Sequence, residues 1–264
     1  MYHTNHTFAI CAYKESPFLE ECIQSCQNQT VATNILLATS TPNSYISMMC
    51  SKYNIPMYIN KGECGITQDW NFAYSQCKTE YVTIAHQDDV YKERYVELVL
   101  KRIRKSSLPL IAFTDYYEIR EGQEIRNNRL LRIKRILLMP FRIKLFDGSC
   151  FVRRRVLSLG TPICCPSVMF AKSNLPGEIF LNEYQASEDW QAWERISKLK
   201  GDFLYCSEPL MCHRIHQDSE TTKLVESSIR AKEDREMFEK FWPKPIARII
   251  ASFYAKSEES NQLN

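Results

Sequence analysis

The sequence predicts an α/β fold on a parallel, doubly wound sheet, and three observations carry that expectation. Short apolar runs alternate with stretches of helical apolar spacing from residue 7 to residue 85. Each run stops abruptly in polar residues, as strands do where they open onto a ligand crevice. A length of 264 residues with 44% hydrophobic and 25% charged residues is an ordinary globular composition, ample for one large core.

Residues 7–12 (TFAICA) form the first strand, ending at Tyr13-Lys14-Glu15-Ser16-Pro17. Phe18, Leu19, Cys22, Ile23 and Cys26 then recur at helical spacing. Residues 34–38 (NILLA) give a second buried strand that stops at Thr39-Ser40-Thr41-Pro42-Asn43, and a helix spans Tyr45 to Tyr53. Met57–Ile59 is a third strand, Gln68–Cys77 a third helix and Tyr81–Ala85 (YVTIA) a fourth strand, which runs into His86-Gln87-Asp88-Asp89. An exposed-looking helix follows over 91–105, then a strand at Leu110–Thr114. Residues 148–181 read as short strands and loops. A helix over Ser187–Lys200 opens with acidic residues, where its macrodipole favours them. A strand at Phe203–Cys206 precedes His213-Arg214-Ile215-His216. The tail from 223 is helical and charged, broken at Trp242-Pro243-Lys244-Pro245. Three units are expected: an α/β half over 1–115, an acceptor-side half over 116–222, and a helical tail over 223–264.

Composition narrows the chemistry. Glycine is scarce, at 7 residues against the roughly 7% usual in proteins, and no two or three glycines form a GxGxxG or GxxxxGK(S/T) phosphate cradle. No segment has the apolar length to span a membrane, and no signal peptide is legible, so a cytoplasmic location is expected. The 11 cysteines lack metal-ligand spacing and read as buried thiols. Residues 120–144 hold eight Lys or Arg against Glu121 and Glu124, interleaved with leucines and isoleucines, although the whole chain carries only +3. That pattern suits either an anionic membrane surface or a solvated helix packed by its leucines. Nucleic acid is not expected as a partner, since no reading motif is present.

Asp88-Asp89 at a strand's carboxyl end is the informative feature, because paired carboxylates there can hold a hard divalent ion. Acidic pairs also cap helices, so the pair alone is weak. Tyr13 and Glu15 offer a flat ring and an acceptor for a base and ribose. Glu188-Asp189 offers a second acidic site suited to a general base. His213 and Arg214, with His216, add imidazoles and a cation.

Taken in order, the segments TFAICAYKESPFLEECIQSCQNQT (7–30), CGITQDWNFAYSQCKTEYVTIAHQDDVY (64–91), SEDWQAWERI (187–196) and EPLMCHRIHQDSET (208–221) resemble the family 2 glycosyltransferases. These are inverting enzymes of GT-A fold that use nucleotide-diphosphate sugars. The resemblance implies a nucleotide-binding mixed sheet flanked by helices, with an acceptor lobe. It implies donor contacts from Ala12, Tyr13, Glu15, Thr39, Gly65, Asn71, His86, Gln87 and Asp88. Asp88 would bind Mn2+ or Mg2+, with His216 near the metal or diphosphate, and Asp189 would be the catalytic base. Asp89, Glu188, Trp190, His213 and Arg214 are further candidates, Glu188 competing with Asp189 for the base. The chain departs from the family pattern in three places. His86 stands where the first Asp of D-x-D is usual, Ala38-Thr39-Ser40 where many relatives carry Asp-Asp-Gly, and His213 where an aromatic residue is common.

The implied activity is transfer of a sugar to a hydroxyl acceptor, in cell-surface polysaccharide, O-antigen or capsule synthesis. A lipid-linked glycan would be the acceptor if the basic stretch 120–144, with Arg153-Arg154-Arg155, holds the enzyme on the inner face of an anionic membrane. A sugar nucleotidyltransferase and an inactive membrane-associated binding protein of the same fold are the alternatives.

Overall fold

A computed structural model of the chain describes residues 5–216 and 228–262. Residues 217–221 of the closing segment and 223–227 of the tail lie outside the described residues. The first half follows the expected alternation: β1 (His6–Cys11), α1 (Leu19–Gln27), β2 (Asn34–Thr39), α2 (Ser44–Tyr53), β3 (Met57–Ile59), α3 (Ile66–Gln76) and β4 (Tyr81–His86). These strands lie parallel in the order β3-β2-β1-β4. In β1, Phe8 and Ile10 pack into the core shared with α1 and α2, while Ala9 faces the core on the other side of the sheet. Burial on both faces is why the strand reads as a continuous apolar run.

Beyond β4 come β5 (Val90–Tyr91), α4 (Tyr95–Ile103), β6 (Pro109–Arg120), β7 (Gln123–Ile125), α5 (Arg129–Leu138), α6 (Cys150–Leu157), β8 (Val168–Ala171), α7 (Glu188–Ile196) and β9 (Asp202–Ile215). Two tail helices follow, α8 (Ser228–Glu239) and α9 (Lys244–Gln262). The described sheet runs β3-β2-β1-β4-β8-β6-β9-β5, with β7 paired to β6. It is the mixed sheet that the family resemblance implies, not the wholly parallel one that the alternation of elements suggests, because β8 lies antiparallel between β4 and β6. An apolar run reports burial and not direction, so the sequence could not show this reversal. β6 passes through residue 115, and the sheet is continuous across the expected boundary between the first two units.

Four elements differ in extent or type. The strands expected at 110–114 and 203–206 are the cores of β6 and β9, which pair in parallel along most of their length with bulges around Asp115. His213 and Arg214 therefore lie inside a strand, not past its end. The helix expected to be exposed over 91–105 starts at Tyr95 and buries Tyr95, Val96, Val99, Leu100 and Ile103. Within 148–181, Cys150–Leu157 is helical, with Ser149 as its N-cap. The tail is not an appendage. Met237, Phe238 and Ala247 are fully buried, and Trp190 meets Phe238 edge-on at 4.9 Å. All eleven cysteines are free. Among the described residues no helix is long and apolar enough to cross a membrane.

Candidate active site

β4 ends at His86, and the Gln87-Asp88-Asp89 turn carries the chain across to β5, which pairs antiparallel with β9. That crossing sets both carboxylates against β9. Asp89 is fully buried, and its Oδ1 accepts from His213 Nδ1 at 3.0 Å and from the Arg214 backbone N–H at 2.9 Å. Asp88 Oδ2 lies 3.0 Å from His216 Nε2, and the Asp88 carbonyl accepts from Arg214 Nε at 2.9 Å. Arg214 also pairs with Glu21 of α1, and its guanidinium sits 4.4 Å over Phe18. His86 stacks on Trp70 at 4.9 Å, and Trp70 is braced edge-on by Phe180.

The electrostatics follow from this packing. Burial alone would raise the Asp89 carboxyl, but His213, His86 and the Arg214 amide outweigh it and hold its pKa down. Burial likewise opposes charge on His213, yet Asp89 prevails and raises its pKa. His86 goes the other way, its pKa lowered by burial against partial support from Asp89 and Asp88. Asp89 Oδ2 and His86 Nε2 are buried without a hydrogen-bond partner. His86, Asp88 and Asp89 can each offer one ligand atom, all within 4.8 Å of one another. Orphaned acceptors in such a cluster fit a divalent cation, since buried polar atoms otherwise find partners.

On the donor side, Gln87 accepts from the Tyr13 N–H at 3.0 Å and donates to its carbonyl at 3.1 Å, locking the loop after β1 onto the acidic turn. The Tyr13 ring is 45% exposed, and Glu15 beside it is also exposed. Ala12 is buried, its N–H on the Ala38 carbonyl. Thr39 is buried too, its hydroxyl accepting from the Thr41 N–H. Asn71 spends its amide on the backbone of Ile179 and Phe180, and Gly65 starts α3. Asp69 of α3 was not singled out in the sequence. Its carboxylate accepts from Ser40 at 2.6 Å and Asn60 at 2.7 Å, so the strand end that lacks Asp-Asp-Gly gains an acid from another element.

α7 presents Glu188 and Asp189 in its first turn. Glu233 of α8 accepts from the backbone N–H groups of Gln185, Ala186 and Ser187, which fixes the entry to α7. Burial raises the Asp189 carboxyl, opposed by the Trp190 amide, Lys134 and Arg230. Glu188 is more buried and is pushed up to about 7, with Asp189 and Glu233 adding to the burial effect. Trp190 is core, its indole N–H on the Leu157 carbonyl at 3.0 Å. In the turn before β8 the Cys164 thiol is buried and its pKa is raised, by burial first, with Asp89 and Asp189 adding to it and Lys134 opposing.

The basic segment divides in two. Arg120, Arg126 and Arg135 pair with Glu118, Glu124 and Asp115, and Lys134 turns inward to Tyr116. Arg142 and Lys144 are exposed and flank Ile143 and Leu145, the latter 85% exposed. In the Arg153-Arg154-Arg155 run, Arg153 is buried, Arg154 pairs with Glu194 and only Arg155 is exposed. A separate surface depression lined by Gln27, Thr30, Thr33 and Asn54 contains no titratable side chain.

The family model for glycosyl transferase family 2 matches residues 7–166. Among solved structures, the mannosyltransferase PcManGT from Pyrobaculum calidifontis, in complex with GDP-Man and Mn2+, is similar at 14% identity and a TM-score of 0.65, covering 96% of this chain and 70% of that one. S. aureus TarS is similar at 13% identity and a TM-score of 0.57, covering 95% of this chain but only 42% of its own length. TarS 1-349 in complex with UDP-GlcNAc gives the same identity and TM-score, with 70% of that chain covered. These likenesses show a GT-A fold. No curated protein matches the chain.

Proposed function

Because the chain belongs to glycosyl transferase family 2, a family of sugar-transferring enzymes, we propose that it moves a sugar from a nucleotide-diphosphate donor to a hydroxyl acceptor in one inverting displacement. Asp88, Asp89 and His86 would hold a divalent cation, Mn2+ or Mg2+, with His216 beside Asp88. When bound, that ion compensates the negative charge of the diphosphate. The observation that carries the reading is the pair of buried atoms without a hydrogen bond, Asp89 Oδ2 and His86 Nε2, in a cluster completed by Asp88.

Asp189 takes the proton of the acceptor hydroxyl, whose oxygen bonds to the anomeric carbon from the face opposite the leaving group. The pair of electrons in the bond between that carbon and the phosphate oxygen leaves with the diphosphate, so no covalent intermediate with the protein is required. Asp189 is preferred over Glu188 because it is the more accessible of the two, and because burial keeps the Glu188 carboxyl pushed up to about 7. Tyr13 and Glu15 contact the nucleoside, with Gln87 fixing the Tyr13 loop. His86 stands in for the carboxylate that would contact ribose, and Ser40 with Asp69 borders the base.

PcManGT is described with GDP-Man and TarS with UDP-GlcNAc, which supports a nucleotide sugar as donor and leaves both guanosine and uridine donors to be compared. The acceptor is a glycan, lipid-linked if the exposed Arg142-Ile143-Lys144-Leu145 tip and Phe151 rest on an anionic membrane face. The test is a thermal-shift panel of UDP- and GDP-sugars with and without Mn2+. A donor at a hundred times its Kd stabilises by about 2.7 kcal/mol, roughly 5–10 °C for a chain of this size. Asp88→Ala should remove the Mn2+-dependent part of the shift. Absence of any shift in the wild-type protein, with every donor and Mn2+ present, would refute the reading.

A further inference from the structure

Lys134 behaves unlike the other cations of its helix. Its neighbour Arg135 reaches Asp115 at 2.6 Å, and Arg132 is exposed beside Asn127. The Lys134 ammonium donates to the Tyr116 hydroxyl at 2.9 Å and lies 5.4 Å from that ring. Among the described residues no carboxylate lies within 4.0 Å of it. The Tyr116 ring meets His213 edge-on at 6.4 Å, and His213 holds Asp89. Contacts through Tyr116 and His213 thus link Lys134 to the acidic turn, and its charge lowers the Asp189 pKa. Burial opposes its charge while the Tyr116 contact favours it, and its pKa is raised. With no carboxylate beside it, this half-buried ammonium suits an anion arriving with the ligand.

We propose that Lys134, oriented by Tyr116, binds the donor diphosphate and takes up the charge that develops on the leaving group. This role rests on the sugar-transfer reading. As the bond between the anomeric carbon and the phosphate oxygen breaks, its electron pair stays on that oxygen beside the Lys134 ammonium. The acceptor proton passes to Asp189, and the acceptor oxygen completes the new bond. The diphosphate gains a negative charge in this step, so the contact strengthens towards the transition state. Lys134 is then a catalytic residue and Tyr116 a positioning residue.

The experiment compares wild type, Lys134→Met, Lys134→Arg, Tyr116→Phe and Arg132→Met. Calorimetric titration with UDP, GDP, uridine and guanosine, each with Mn2+, is paired with steady-state transfer from the donor found in the panel. A hydrogen bond to a charged group is worth about 1.5–3 kcal/mol. Lys134→Met should therefore weaken the preferred nucleoside diphosphate about 10- to 100-fold, leave its nucleoside unchanged, and lower kcat more than it raises KM. It should also move the acid limb of kcat/KM upward, since Lys134 lowers the Asp189 pKa. Lys134→Arg should recover most of the binding, Tyr116→Phe should lose several-fold, and Arg132→Met should match wild type. Diphosphate binding and kcat at wild-type level in Lys134→Met would overturn the role, as would equal loss of nucleoside and diphosphate. A wild-type protein that binds neither UDP nor GDP overturns the sugar-transfer reading itself.

Discussion

Arg153 is 1% exposed, and its guanidinium donates to three carbonyls at the C-terminal end of α7: Ser197 at 2.7 Å, Gly201 at 2.6 Å, and Leu199. A helix leaves its last carbonyls without partners inside the helix, and one planar guanidinium can satisfy several together. Arg153→Met removes the guanidinium, which also lies 5.0 Å over the Phe203 ring, and leaves those carbonyls buried and unpaired. Three bonds from a charged donor total about 4.5–9 kcal/mol. Burying the guanidinium, whose charge burial disfavours, offsets part of that. The net loss should be about 3–5 kcal/mol, or roughly 6–20 °C in Tm. Urea unfolding followed by far-UV circular dichroism, checked by calorimetry, measures it. The exposed Arg155→Met should lose under about 1 kcal/mol. If Arg153→Met unfolds within 1 kcal/mol of wild type, the clamp on the base-bearing helix is wrongly assigned.

Two further outcomes follow from individual residues. Glu188 has its folded pKa raised to about 7 against an ordinary 4.5, so the native state binds more protons than the unfolded chain between those values and stability falls as pH rises through them. The loss amounts to about 3 kcal/mol, and Glu188→Gln should flatten this part of a pH series of urea midpoints. An unchanged slope would show that Glu188 is not the titrating group. For the exposed tip over 142–145, Ile143→Ser with Leu145→Ser should reduce co-sedimentation with anionic vesicles at least several-fold if the proposed membrane contact holds, whereas neutralising the paired Arg135 should not. Equal binding of wild type to neutral and anionic vesicles would contradict the assignment.

The parallel half of the fold was legible because β1, β2 and β4 are buried on both faces and end in polar loops. The place of Asp88 in the turn after β4 was legible for the same reason, whereas Asp189, in the first turn of α7, follows a polar stretch and only the family resemblance points to it. The extensions of β6 and β9 were not, because their polar residues find partners on α5, along the strand itself and in the acidic turn: Asp115 with Arg135, Glu118 with Arg120, and His213 with Asp89. Spacing along the chain carries no record of such partners. The charge of residues 120–144 misled for a related reason, since Asp115 and Glu118, which pair with two of its arginines, lie just before that stretch. Asp69 went unnoticed because its role depends on α3 reaching the end of β2, a tertiary contact with no signature within either segment.

The central claim is that one site joins a metal-dependent donor pocket at Asp88 to a base at Asp189. Asp189→Asn removes the proton acceptor while keeping the side chain's shape, so the direct measurement is donor affinity with Mn2+ alongside the rate of sugar transfer in that variant. The account predicts donor binding close to wild type and transfer lowered about 10²- to 10⁴-fold. Transfer at the wild-type rate would contradict it.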